Sequence, residues 1–202
     1  PAIMVGTGKG AENGILIKSG VVLEAAHKVD VVVFDKTGTI TKGEPKVTDL
    51  VCSGQISEDE LLSISASAEI GSEHPLGESI VNEAKERSLT IKETKDFKAV
   101  PGRGIEVYID EEKILVGNYA FMNENEIELN DFRKRAEELA DQGKTPMYVA
   151  KGGALAGVIA VADVVKESSF EAIPELHKMG VEVVMITGDN ERTANAVAKR
   201  LS

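Results

Sequence analysis

The 202 residues include 23 Lys plus Arg against 34 Asp plus Glu, a net charge of −11, and 42% are apolar. That composition excludes a disordered tail, supports one large or two modest folded domains, and disfavours phosphate backbones and anionic lipid, so no nucleic-acid partner is expected. Cys52 is the single cysteine, so no internal disulfide can form; with no export leader and no apolar run near the ~20 residues that span a bilayer, a reducing compartment and a chain that does not itself cross a membrane are expected.

In chain order, Val31-Val32-Val33-Phe34 is a short continuous apolar run and predicts a strand buried on both faces, ending at Asp35 and a Thr37-Gly38-Thr39 turn. From about Glu44 to Val158 the pattern changes to α+β: two helices, several strands joined by hairpins, then another helix and hairpin. Ser57-Glu58-Asp59-Glu60 is a capping box at the head of the first helix. Asn130 opens a later helix that stops at Gly143, and Asp110-Glu111 and Gly152-Gly153 predict tight hairpins. This stretch holds 13 basic and 23 acidic residues, so it carries −10 of the −11, and any anionic ligand there must be held by local contacts. Glu167 to Met179 has helical spacing with Gly180 as its stop, Val181 to Ile186 repeats the buried-strand pattern, and Glu191 to Leu201 is helical. Strand, helix, strand at this pitch means a parallel sheet of Rossmann type, here interrupted by an insert built on an antiparallel sheet. The expected organisation is 1–43, an insert over 44–158, and a return over 159–202.

Asp35 stands where a parallel strand ends and ligand crevices open, beside a glycine that lets backbone amides approach phosphate. An ordinary aspartate is ionised at neutral pH and attacks phosphorus without a base once cations neutralise the clustered charge; magnesium is the expected cation. The plain alternative is an aspartate that only turns the chain. Asp35-Lys36-Thr37-Gly38-Thr39, however, resembles the phosphorylation motif of P-type ATPases, in which the aspartate takes the γ-phosphate of ATP. The resemblance implies a haloacid-dehalogenase-like fold with an inserted nucleotide-binding domain. It further implies Asp35 as the phosphorylated residue, Lys36 and Thr39 within the same catalytic motif, Thr37 offering its carbonyl to magnesium and its hydroxyl to phosphate, and Thr187-Gly188-Asp189 holding the phosphoryl group. Independently, phosphatases related to this fold place a second aspartate two residues after the nucleophile, and Thr37 cannot replace it as a general base, so an acyl phosphate would persist.

Ser72-Glu73-His74-Pro75-Leu76 puts a histidine at a helix entrance, with Pro75 suited to the first turn. It resembles the motif of the heavy-metal-transporting branch, where the histidine orients the adenine end of ATP. The same resemblance makes Glu69 an adenine contact and places Gly102, Gly104 and Asn118 beside the nucleotide; Glu106 and Tyr108 stand where a further glycine often occurs. Gly6-Thr7-Gly8-Lys9-Gly10 lacks the spacing of a phosphate-binding Walker loop, and Met4 to Lys18 instead resembles the segment leaving the membrane in copper(I) pumps. Cys52, His27 and His177 read as structural or solvated, as do the acidic runs Asp110-Glu111-Glu112 and Asp131 to Asp141. Asp163-Val164-Val165-Lys166 is either a hinge-side salt bridge or a link between the two domains.

No Gly-Asp-Gly-x-Asn-Asp segment is found, and in the family this supplies a magnesium carboxylate. The expectation is therefore a cytosolic piece of an integral membrane pump, working with transmembrane and actuator domains and with copper(I) bound elsewhere, that binds ATP and Mg2+ with little turnover. A free-standing phosphatase or phosphotransferase of the same fold, and a nucleotide-binding module without chemistry, are the alternatives.

Overall fold

A computed structural model describes residues 2–201 of the chain. The elements run α1 (Ala2–Glu12), α2 (Gly20–Ala26), β1 (Val31–Asp35), a tight turn over Lys36–Ile40, β2 (Lys46–Cys52), α3 (Glu58–Glu69), α4 (Pro75–Glu86), β3 (Lys95–Val100), β4 (Gly104–Ile109) and β5 (Glu112–Gly117). They continue with α5 (Tyr119–Glu124), α6 (Phe132–Asp141), β6 (Thr145–Lys151), β7 (Ala154–Ala162), α7 (Glu167–Lys178), β8 (Glu182–Ile186) and α8 (Glu191–Leu201).

Two sheets organise these elements. Strands β2 to β7 form an antiparallel sheet in the order β2-β7-β6-β5-β4-β3. One face packs α3 and α4 over Leu61, Leu62, Ile80, Val107, Ile114 and Ile159; the other packs α5 and α6 over Phe121, Met122, Leu139, Tyr148 and Val158. Burial on both faces is what makes β7 read as an almost continuous apolar run. The predicted hairpins form where expected: Asp110 and Glu111 take φ of 49° and 66°, Gly152 and Gly153 59° and 85°, the paired positive φ of a turn that matches strand twist. Ser57 caps α3 by accepting from the Glu60 amide at 3.2 Å, while the Glu60 carboxylate pairs with Lys151 instead of closing the box.

The second sheet pairs β1 with β8 in parallel, Val31 opposite Glu182 through Asp35 opposite Ile186. Here the expectation of burial on both faces is corrected. Phe34, Val183 and Met185 pack on Ile173, Val197 and Leu201 of α7 and α8. Val31, Val33 and Ile186 on the opposite face are 46%, 52% and 61% exposed, because helices cover only one side of this sheet among the described residues. Other differences are local. The helix read from Asn130 begins at Phe132 behind Asp131, Asn130 being in the left-handed region at φ 46°. Strand β2 and helix α5 were not expected. Gly6, Gly8 and Gly10 lie within α1, so they form no phosphate-binding loop.

The chain crosses between the two sheets twice, and the crossings are bound side by side. Lys42 donates its amide to Val164 at 2.8 Å and Lys166 donates to Ile40 at 3.0 Å. Asp163 accepts from the Thr41 hydroxyl and from the amides of Gly43 and Glu44. The Asp163–Lys166 segment is thus a hydrogen-bonded clasp and not a hinge-side salt bridge: Asp163 satisfies backbone donors, and Lys166 donates to the carbonyl of Gly38 at 2.6 Å.

Candidate active site

Strand β1 delivers Asp35 to its C-terminal end, where the residue is exposed, and the next residue turns the other way. Lys36 is 7% exposed and its ammonium group pairs with Asp189, in the loop that follows the neighbouring strand β8. Thr37 (φ −77°, ψ 122°) and Gly38 (φ 78°) then reverse the chain, a conformation for which glycine is suited because no Cβ opposes positive φ. Thr37, Gly38 and Thr39 are exposed, and the carbonyl of Gly38 is held by Lys166. Thr187 donates to Asp189 at 3.2 Å and accepts from its amide at 3.1 Å, with Gly188 exposed between them. The residues predicted from the two motifs therefore converge: parallel pairing sets Asp35 against Ile186, and the Lys36–Asp189 pair joins the loops that follow.

A second group gathers where α3 meets α4. Glu69, the last residue of α3, is 6% exposed; burial pushes its carboxyl above the ordinary glutamate range, partly offset by a hydrogen bond from Ser72. Gly77 makes room for it, since a Cβ there would lie 2.9 Å from the Glu69 Cδ. His74 precedes α4 with Pro75 in the first turn. Its Nδ1 accepts from the Leu76 amide at 3.2 Å, which leaves Nε2 as the ring nitrogen able to donate, on an exposed residue. Ser72 accepts from the His74 amide at 3.2 Å, which fixes the loop, and Glu73 is exposed beside it.

The Gly102-Arg103-Gly104 turn is braced by Asn118, which donates to the carbonyl of Gly102 at 2.8 Å from its side chain and to that of Arg103 at 2.9 Å from its amide. The Asn118 side-chain oxygen also caps α5 by accepting from Phe121. The two glycines do different work. Gly104 sits opposite Gly117, and a Cβ on Gly104 would stand 2.6 Å from the Gly117 Cα, whereas nothing lies within 4 Å of a Cβ on Gly102. Glu106 and Tyr108 occupy ordinary cross-strand positions, Glu106 pairing with Lys113 at 2.9 Å.

Phe97 was not foreseen. It lies on bulged strand β3, 41% exposed, with its ring edge 3.3 Å from where a Cβ on Gly71 would be, which sets an aromatic face beside the Ser72–His74 loop. The available signal was a lone aromatic in the charged run Lys95-Asp96-Phe97-Lys98.

Asp35 and the Thr37 carbonyl are hard oxygen donors on an exposed turn. Magnesium characteristically takes one or two protein oxygens and completes its shell with water and substrate phosphate, so these two residues fit it. Among the described residues no cluster of three or more His, Cys, Asp or Glu could hold a metal, and no helix is long and apolar enough to cross a membrane.

The family model described as haloacid dehalogenase-like hydrolase matches residues 29–202. A copper-exporting P-type ATPase of Staphylococcus aureus (strain MRSA252) is 51% identical over 99% of this chain, which spans 24% of that protein; the chain thus covers about a quarter of the length of the curated relatives it matches. Among solved structures, a zinc-transporting PIB-type ATPase in its E2.Pi state superposes with a TM-score of 0.74 at 38% identity, over 99% of this chain and 32% of that one. The catalytic domain of the CPx-ATPase CopB-B superposes with a TM-score of 0.64 at 28% identity, over 96% and 67%. With the paired Asp-Lys-Thr-Gly-Thr and Thr-Gly-Asp loops in place, the chain belongs to the haloacid dehalogenase-like hydrolase family and is similar, over nearly its whole length, to the catalytic region of metal-transporting P-type ATPases.

Proposed function

We propose that this chain is the ATP-binding and phosphorylation region of a metal-exporting P-type ATPase, acting on the cytosolic side of a membrane protein whose other domains carry the ion. Copper(I) is the proposed cargo, after the relatives named as copper exporters. The observation that carries the reading is the junction of the two motif loops by Lys36 and Asp189 at the end of the parallel strands, next to an exposed Asp35.

In this reading ATP lies against the insert, its adenine near Glu69, His74 and Phe97 and its backbone-facing side along Gly102, Gly104 and Asn118. Glu69, whose carboxyl burial pushes above the ordinary glutamate range, and the ring of His74, whose Nδ1 is already engaged by the Leu76 amide, offer hydrogen-bonding groups to a purine edge. Closure of the insert brings the γ-phosphate to Asp35. A carboxylate oxygen of Asp35 attacks the γ-phosphorus, a P–O bond forms, the bond to the β–γ bridging oxygen breaks, and ADP leaves with the electron pair. Asp35 and the Thr37 carbonyl would hold magnesium, which when bound would neutralise phosphate charge. Lys166 steadies the Gly38 carbonyl, so that the turn is ordered before substrate arrives. Because Thr37 offers no general base, the acyl phosphate outlasts its formation, as a transport cycle requires and a free-standing phosphatase does not.

The test is acid-quench trapping with γ-labelled ATP in the full-length protein. A hydroxylamine-sensitive phosphoprotein that disappears in Asp35→Asn is expected. Steady phosphate release from small esters with no trapped species would favour a phosphatase, and ATP binding with no labelling a module without chemistry.

A further inference from the structure

The Asp189 carboxylate is shared between the two parts of the molecule. Its Oδ2 takes Lys36 and Thr187, both from the parallel-sheet side. Its Oδ1 accepts at 3.1 Å from the hydroxyl of Thr145, the first residue of β6, which is fixed in the antiparallel sheet by pairing with Val161 of β7. The neighbouring contacts make this more than a chance approach. Thr193 of α8, completely buried, donates to the Lys144 carbonyl at 2.7 Å. Lys144 itself pairs with Asp49 of β2 at 2.7 Å. Arg192 reaches Glu137 at 3.5 Å and Asp141 at 3.4 Å on α6. The Gly143–Thr145 bend is thereby held from both sides, and Thr145 alone of its side chains touches the motif loops.

We propose that Thr145 is a positioning residue which reports the insert's orientation to the phosphorylation site: when the insert is seated, its hydroxyl holds one Asp189 oxygen, and Asp189 in turn holds Lys36 beside Asp35. This rests on the phosphoryl-transfer reading above. A methyl-for-hydroxyl change leaves Lys36 paired to a carboxylate held through Oδ2 alone, by Lys36 and Thr187, and the looser placement lowers the rate of transfer while leaving the nucleotide contacts near Glu69, His74 and Asn118 as they were.

The experiment compares Thr145→Val and Thr145→Ser in the full-length protein by single-turnover phosphorylation, ATP titration and amide exchange at residues 187–190. Expected are a fall of about tenfold in the phosphorylation rate for Thr145→Val, an ATP affinity within about twofold of the parent, faster exchange at Asp189, and near-parental behaviour in Thr145→Ser, which keeps the hydroxyl. In an Asp189→Asn background the valine change is expected to cost much less. Parental rates in Thr145→Val, a loss confined to ATP affinity, or an equal loss in Thr145→Ser would overturn the role. If the parent itself gives no acyl phosphate, the function proposed above fails and not this role alone. Should Thr145→Val not fold, Thr145→Ala, which also removes the hydroxyl, is measured against Thr145→Ser in the same way, and parental rates in it would overturn the role.

Discussion

Lys36 and Asp189, 153 residues apart in the chain, form an ion pair whose side chains are only 9% and 11% exposed. Parallel pairing of β1 with β8 brings their loops together, and the pair joins the turn that follows the exposed Asp35 to the Thr187–Asp189 loop. Partial burial removes water from both charges, so removing one partner leaves the other uncompensated.

Lys36→Met is therefore expected to lower the unfolding free energy by about 3 kcal/mol. Adding Asp189→Asn should recover part of that loss, since the stranded charge is removed with it. Urea unfolding of the two single variants and the double variant measures the coupling; additive losses would show that the pair contributes nothing.

Burial raises the Glu69 carboxyl above its usual range, and the sign of the pH effect follows. The folded state holds the proton more tightly than the unfolded one, so stability linked to this group is fully present below the ordinary glutamate range and declines as pH rises through the raised value. Relative to the parent, Glu69→Gln is expected to gain stability across that window and to level off above it. Thermal midpoints measured from acid to neutral pH test the trend, and a difference that does not change with pH would contradict it.

His74 caps α4 through Nδ1, and in the proposed function its ring also meets the nucleotide. His74→Ala should lose both, about 1 kcal/mol of stability together with ATP affinity. His74→Asn restores a capping side chain and should recover the stability without the binding. Calorimetric titration beside chemical unfolding distinguishes them; parental ATP affinity in both variants would remove His74 from the proposed nucleotide site.

The two glycines of the 102–104 turn should respond in opposite ways. Gly104→Ala forces a methyl into the backbone of Val116 and Gly117 and is expected to cost more than 2 kcal/mol. Gly102→Ala meets open space but holds φ 69°, so it should cost about 1 kcal/mol. Equal losses in unfolding experiments would mean that the β4–β5 approach is looser than its geometry.

Asp163 ties both crossings by accepting from Thr41, Gly43 and Glu44. Asp163→Ala strands these donors and is expected to cost about 2 kcal/mol and to open the 42–44 segment to protease. Limited proteolysis with mapping of the first cut checks this, and an unchanged cleavage pattern would count against the clasp.

What was legible in the sequence was chemistry encoded within a few neighbouring residues. The cap at Ser57, the helix entrance at His74-Pro75, the stop at Gly180, both tight hairpins and α8 all rest on local backbone preferences, and the Asp35 and Thr187–Asp189 motifs are contiguous. Strand β2 escaped because a bulge between Val47 and Asp49 breaks its alternation, and α5 because six residues are too few for a helical period. Only the tertiary structure decided which strands have one naked face, that Lys36 turns inward to Asp189, that Phe97 flanks the His74 loop, and that Thr145 of the insert reaches the same aspartate. Each of these depends on sheet register and on helices packed from distant segments, and a side chain's partners across such distances are set by where the backbones meet, not by the residues beside it in the chain.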